Sequence, residues 1–291
     1  MMKTYLDYTI EKVLLGEKNY PKNLAKILKP PKQIYYRGAL DKDILDKTIA
    51  IVGTRVITNY GKQIVERFVS DFVASGVTII SGFMYGVDTE VHKKTIEYGG
   101  TTISVFGNGL DYIYPPENDK LYSEILESGG LVMSEYKKDT KPQLWTYPAR
   151  NRIVAGLATI GVLVIEADIE SGSIITANLA IKQGKKVWAV PGPITSKVSS
   201  GTNKLIKDGF AQMATNPQDI LGKGSKVEQL DIPNLNPIEL KIYEVLTRES
   251  LSIDEIAVNV NESVVDITTS LTMMGLKGIV NEMGGKFYMV K

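Results

Sequence analysis

The chain has 291 residues, 43% of them hydrophobic and 23% charged, and its 34 Lys and Arg stand against 33 Asp and Glu for a formal net charge of +1. That length accommodates one large α/β domain and a small second one, and a charge so balanced excludes a generally basic surface, so any polyanion site must be a local concentration of positive groups. The absence of cysteine excludes disulfides, thiolate metal sites and a cysteine nucleophile, and a single histidine, His92, leaves little material for a metal cluster or a Ser-His-Asp triad.

Residues 1–47 read as a short N-terminal extension. Met1–Ile10 has no continuous apolar core and so does not read as a signal peptide. Tyr20-Pro21 and Lys29-Pro30-Pro31 punctuate the stretch, and a short extended piece, Gln33–Arg37, ends at Gly38. No apolar run approaches the roughly 20 residues that span a bilayer. The expectation is a soluble, cytoplasmic protein with no membrane partner, no metal and no cofactor.

The pattern from residue 48 to 222 is strand then helix, repeated. Ile49-Ala50-Ile51-Val52 is unbroken by polar residues and stops at Gly53, which is how a strand buried on both faces reads. Buried strands are predicted at Thr48–Val52, Val77–Ser81, Thr101–Phe106, Leu131–Ser134, Ile160–Ile165 and Lys186–Val190. Helices are predicted between them at Asn59–Ser75, Val87–Tyr98, Asn118–Ser128, Arg150–Leu157 and Ser173–Gln183. Such alternation predicts an α/β, Rossmann-like, mainly parallel sheet with helices on both faces, whose ligands sit beyond the carboxyl ends of the strands. Residues 223–236, with Gly224 and Pro233, read as a linker. Residues 237–291 then offer three helices and a hairpin around Gly284-Gly285, a small winged-helix-like domain.

The turns at the carboxyl ends of the strands carry the chemistry. Gly53-Thr54-Arg55 succeeds the first strand, Ser81-Gly82 with Gly86 the second and Gly107 the third, while Ser171-Gly172-Ser173 and Thr176 open the helix after the fifth. Bare amides at a helix start plus a guanidinium make an anion site. The plain alternative is that Arg55 is a surface arginine and the glycines serve only tight turns. Pro148-Ala149-Arg150-Asn151-Arg152 repeats the arrangement, since cations at a helix start oppose the macrodipole and a bound polyanion would explain them. Upstream, Lys137, Lys138 and Lys141 flank Leu144-Trp145-Thr146-Tyr147, a mixture of charge and aromatics suited to single-stranded nucleic acid, against the alternative of a solvated lysine loop with Trp145 in the core. Ser199–Asn203 reads as a further hydroxyl-rich phosphate loop, and His92 as a packed histidine rather than a catalytic one. The glycine spacing is not the dinucleotide fingerprint Gly-x-Gly-x-x-Gly.

Taken together and in order, Val52-Gly53-Thr54-Arg55, Ser81-Gly82-x-x-x-Gly86-x-Asp88, Pro148-Ala149-Arg150-Asn151-Arg152, Glu166-Ala167-x-x-x-Ser171-Gly172-Ser173-x-x-Thr176-Ala177 and Pro191-Gly192-Pro193 resemble the DNA processing protein A (DprA, also called Smf) family over residues 20–221. The resemblance implies a non-enzymatic protein that binds single-stranded DNA without strong sequence preference, forms a homodimer, protects incoming DNA and loads the RecA recombinase during natural transformation. It places DNA contacts most securely on Arg55, and a family lysine on Lys141 or one of its neighbours. Two departures stand out: only a remnant of the family's N-terminal helical domain fits before Tyr20, and Glu170 stands where the family commonly has lysine. The rival readings are a hydrolase releasing bases from nucleoside monophosphates, whose Pro-Gly-Gly-x-Gly-Thr signature is missing here, and a nucleotide-sensing module.

Overall fold

The structure, a computed structural model, describes residues 4–222, 235–247 and 249–289, and the chain divides into two units, Met1–Val227 and Glu228–Lys291. Most of the expected linker, residues 223–234, lies outside the described residues. In the first unit β1 (Glu11–Leu14), α1 (Lys22–Ala25), β2 (Gln33–Gly38) and α2 (Lys42–Asp46) lead into β3 (Thr48–Val52), which is buried at every position. Alternation proceeds through α3 (Asn59–Ala74), β4 (Thr78–Ser81), α4 (Val87–Glu97), β5 (Thr102–Val105), α5 (Asp119–Glu127) and β6 (Leu131–Ser134). It continues with α6 (Thr146–Leu157), β7 (Gly161–Val164), α7 (Gly172–Lys182), β8 (Val187–Ala189), α8 (Ser200–Lys207), β9 (Gln212–Met213) and α9 (Gln218–Leu221).

The nine strands make one sheet in the order β1-β2-β6-β5-β4-β3-β7-β8-β9. From β6 to β9 every pairing is parallel, whereas β1 and β2 are antiparallel additions at the β6 edge. β3 is the hinge of the topology. The chain lays β4, β5 and β6 outward on one side of it, and then α6 carries the chain back to β7 on the other. A reversal of this kind leaves a crevice beyond the carboxyl ends of the strands that flank it. Alternate strand residues face opposite helical layers. Ala50, Val52, Val162 and Val164 pack with Ile153 and Val154 of α6 and Ala177 of α7, while Ile49, Ile51 and Leu163 pack with Phe68 and Phe72 of α3 and Val91 of α4. Full burial of Phe68 and Phe72 is worth about 2–3 kcal/mol each.

The mixed α/β architecture is as expected, with three differences. Residues set apart as an N-terminal extension contribute two strands to the same sheet, their signal being the alternation of buried Ile34 and Tyr36. Ser199–Asn203 is not a loop, because Ser199 ends a turn of 3-10 helix and Ser200–Asn203 are the first residues of α8. Helix α6 begins at Thr146, four residues earlier than expected, so Arg150 and Arg152 lie in its interior.

The second unit holds α10 (Pro237–Leu246), α11 (Ile253–Val260) and α12 (Val264–Leu276), then the antiparallel pair β10 (Val280–Met283) and β11 (Lys286–Met289). Gly284 and Gly285 join the strands with φ of +64° and +78°, conformations that glycine adopts without strain. Capping boxes at Asn236 and Ser252 start α10 and α11, and Ile242, Ile256, Ile267, Leu271 and Met274 form a core of their own.

Candidate nucleic-acid interface

A cleft of about 420 Å³ opens at the crevice, lined by the ends of β3 and β4 and by the first turns of α6 and α7. Of the residues singled out in the sequence, Gly53, Arg55, Gly82, Arg150, Asn151, Ser171, Gly172, Ser173 and Thr176 line it.

The turn bearing Arg55 is clamped from both sides. The Thr54 N–H donates to the Glu166 carbonyl at the end of β7 (2.7 Å), and the Val87 N–H at the start of α4 donates to the Thr54 carbonyl (3.0 Å). Gly86, at φ +74°, lies so close to the Thr54–Arg55 backbone that any side chain there would collide with it. Glu166 itself is buried and accepts from the Thr58 N–H (3.0 Å) and hydroxyl, which ties β7 to the start of α3. The backbone around Arg55 is thus fixed, while its side chain is exposed and makes no ion pair among the described residues. At the neighbouring helix, Ser171 caps α7 by accepting from the Ser173 N–H (3.3 Å), and exposed Gly172 leaves the first helical amides open to the cleft. The Asn151 side-chain amide donates to the Gly172 carbonyl (3.2 Å) and joins α6 to that turn.

The wall of the cleft carries buried charge. Arg150 is 4% exposed and donates to the Val105 carbonyl, and burial works against its positive charge while the Asp88 carboxylate supports it. Burial pushes the Asp88 carboxyl above its ordinary range, opposed chiefly by the Arg150 guanidinium and then by the Met84 N–H, which donates to it (3.3 Å). Gly82 separates the two charges, and a Cβ there would run into both. Behind it His92 is fully buried, with Nε2 donating to the Gly82 carbonyl (2.7 Å) and Nδ1 facing the Thr102 hydroxyl (2.7 Å). Burial holds its pKa down to about 4, so it is neutral and packed, as expected.

Other expected contacts lie elsewhere. Arg152 is turned away from the cleft and makes a two-pronged ion pair with Glu135 (2.7 and 2.6 Å) while donating to the Lys29 carbonyl (3.1 Å). Its charge at α6 is explained by a protein carboxylate, so the macrodipole argument for a bound polyanion fails at this residue. Ser81 is buried and donates to the Ile51 carbonyl (2.7 Å), stitching β4 to β3. Gly107 is buried beneath the Tyr147 ring, 2.8 Å from where its Cβ would be. Lys137, Lys138 and Lys141 are exposed and unpaired among the described residues, on a loop pinned by Gly109 N–H to Thr140 O (2.8 Å) and Asp111 N–H to Lys138 O (3.0 Å). Trp145 is 65% exposed rather than in the core, edge-on to Tyr136.

Leu144 and Tyr147, from the stretch flagged for its mixture of charge and aromatics, line the cleft, whereas sequence reasoning did not assign a contact to Asp88 or Tyr114, which line it too. Asp88 could have been suspected from its place in the Ser81-Gly82-x-x-x-Gly86-x-Asp88 motif. Tyr114 carried no local signal. Among the described residues no group of His, Asp and Glu could hold a metal ion, and no helix is long and apolar enough to cross a membrane.

Residues 11–224 match the family model described as DNA recombination-mediator protein A. The chain is 33% identical to Protein Smf of Escherichia coli over 92% of its own length and 74% of that protein's. It is 39% identical to DNA processing protein DprA of Streptococcus pneumoniae, over 70% of the chain and 71% of the relative. Among solved structures, DNA processing protein A of S. pneumoniae superposes with a TM-score of 0.68 at 37% identity, covering 74% of each chain. A structure of DNA processing protein A from Helicobacter pylori, solved for its single-stranded DNA binding mode, superposes with a TM-score of 0.65 at 34% identity over 75% of this chain and 95% of that one. With the family model spanning residues 11–224 and relatives of 33% and 39% identity covered over more than two thirds of their length, the chain belongs to the DNA recombination-mediator protein A family.

Proposed function

We propose that the chain binds single-stranded DNA in the cleft beyond β3, β4 and β7, protects it, and passes it to the RecA recombinase in recombination and natural transformation. The observation that carries this reading is an exposed, unpaired Arg55 on a rigid turn beside the open first turn of α7. A phosphate seated there would gain a guanidinium and helix-start amides without any rearrangement of the backbone. Exposed Lys137, Lys138 and Lys141 extend the positive track, and glycine turns let a sugar-phosphate chain approach closely. The H. pylori relative's single-stranded DNA binding and the family's recombination-mediator description support the same assignment. Catalysis has no part in it, and incubation with nucleoside monophosphates should release no free base.

In this reading Gly53, Thr54, Gly82, Gly86, Asn151, Ser171, Gly172, Ser173 and Thr176 shape or line the strand path, Arg150 backs it, and Arg152 is a structural residue. The protein acts as a homodimer in the cytoplasm, and residues 237–291 form a winged-helix-like module. Binding to oligo-dT, measured by fluorescence anisotropy, should exceed binding to duplex and fall steeply with salt. Arg55→Ala should lower oligo-dT affinity about tenfold or more and flatten the slope of log K against log salt by about 0.7. Undiminished binding by Arg55→Ala would reject the site.

A further inference from the structure

We propose that Tyr85 and Tyr114, with Tyr147 behind them, form a shelf on which a base of the bound strand stacks, so that bases lie over these rings and phosphates track the Arg55 turn. This rests on reading the cleft as a single-strand site. The rings form a connected series: Tyr85 and Tyr114 have centroids 6.4 Å apart with planes at 76°, and Tyr114 and Tyr147 are 6.0 Å apart at 48°. Both spacings fall within the range of interacting aromatic pairs, so each ring fixes the tilt of the next. The Tyr85 hydroxyl donates to the Glu117 carboxylate (2.8 Å), which braces the series from outside. Tyr85 and Tyr114 nevertheless remain 38% and 39% exposed, and Tyr114 lines the cleft. Ordered rings with that much open surface leave room for one more ring.

Charge decides which part of a nucleotide this shelf receives. Glu117 sits on the Tyr85 hydroxyl and would repel a phosphodiester placed there, whereas a neutral base meets no such penalty. The phosphate has its own seat nearby, because Gly86 packs on the Thr54–Arg55 backbone and so places Tyr85 one residue from the guanidinium-bearing turn. The positive charge of Arg55 also reaches the Tyr147 hydroxyl. Cation and aromatic surface thus adjoin in the order in which a strand presents phosphate and base. Stacking uses the π-face that every base has, so the shelf confers grip without sequence preference.

The test measures the full chain's affinity for oligo-dT and for an oligodeoxynucleotide of equal length built of abasic sites. Tyr114→Ala should weaken oligo-dT binding about tenfold and leave abasic binding unchanged, while Tyr114→Trp restores oligo-dT binding. Equal loss for both oligonucleotides in Tyr114→Ala, or loss for neither, overturns the shelf. Arg55→Ala separates this from the parent reading: it should weaken both oligonucleotides alike. If it does and Tyr114→Ala does not discriminate, only the shelf falls; if Arg55→Ala has no effect, the cleft itself is misread.

Discussion

Asp88 is the only carboxylate among the described residues lining the cleft, where Arg55 and Arg150 are the only cationic ones. It helps Arg150 to remain charged inside the protein, and in exchange cancels part of the field that an incoming phosphate would feel. Burial already raises its pKa, and a bound polyanion would raise it further, so binding takes up a proton. Affinity for oligo-dT should therefore increase as the pH falls through the elevated pKa of Asp88. Burial holds the His92 pKa down to about 4, so His92 stays neutral above that range and contributes no charge change there. Asp88→Asn should bind oligo-dT roughly threefold to tenfold more tightly at a pH above the raised Asp88 pKa and lose the pH response, which anisotropy titrations across pH would show. A pH profile unchanged by the substitution would rule out this role for Asp88.

At the scale of elements, α6 is where sequence and structure part. The strands were legible because burial on both faces demands unbroken apolar runs, and α3 because Thr58 announces its cap by accepting from the Gly61 N–H (3.1 Å). The start of α6 was not, because Trp145-Thr146-Tyr147-Pro148 reads as a loop. Pro148 is the third residue of the helix, a position whose N–H has no partner within the helix, so the ring costs nothing there. Moving the start to Thr146 turns Arg152 from a helix-end cation into the partner of Glu135, on the segment after β6. The Arg55 turn was legible because its glycine and charge adjoin in sequence, whereas Tyr114 and Asp88 meet the cleft only through the order of the strands. Arg152→Ala should therefore cost stability, about 1–3 kcal/mol by denaturant unfolding, since it leaves the half-buried Glu135 unpaired. Its oligo-dT affinity should stay within about twofold. A large loss of affinity without loss of stability would return Arg152 to the DNA path.

The whole molecule carries a net charge of only +1, and that charge is unevenly divided. From residue 232 to 291 five bases face eight acids, so the remainder holds about +4. In the second unit the first turns of α11 and α12 carry Asp254, Glu255 and Asp266, and Glu255 and Asp266 serve as acceptors for their capping serines. Acidic first turns suit the helix dipole and are therefore stable by themselves, but they are the wrong sign for a phosphate backbone. A helix that reads DNA usually does so with residues near its N-terminus, where α12 offers Asp266 between Val265 and Ile267. The expectation from electrostatics is that DNA binds the first unit, and that the second contacts protein or has no part in DNA binding. Hydrogen exchange of the full chain with and without oligo-dT tests the division. Slowed exchange should appear in the segments holding Gly53–Arg55, Gly82–Gly86 and Ser171–Thr176, with α12 unaffected. Protection across Val264–Leu276 at a DNA concentration that saturates the cleft would show that local contacts there override the acidic field.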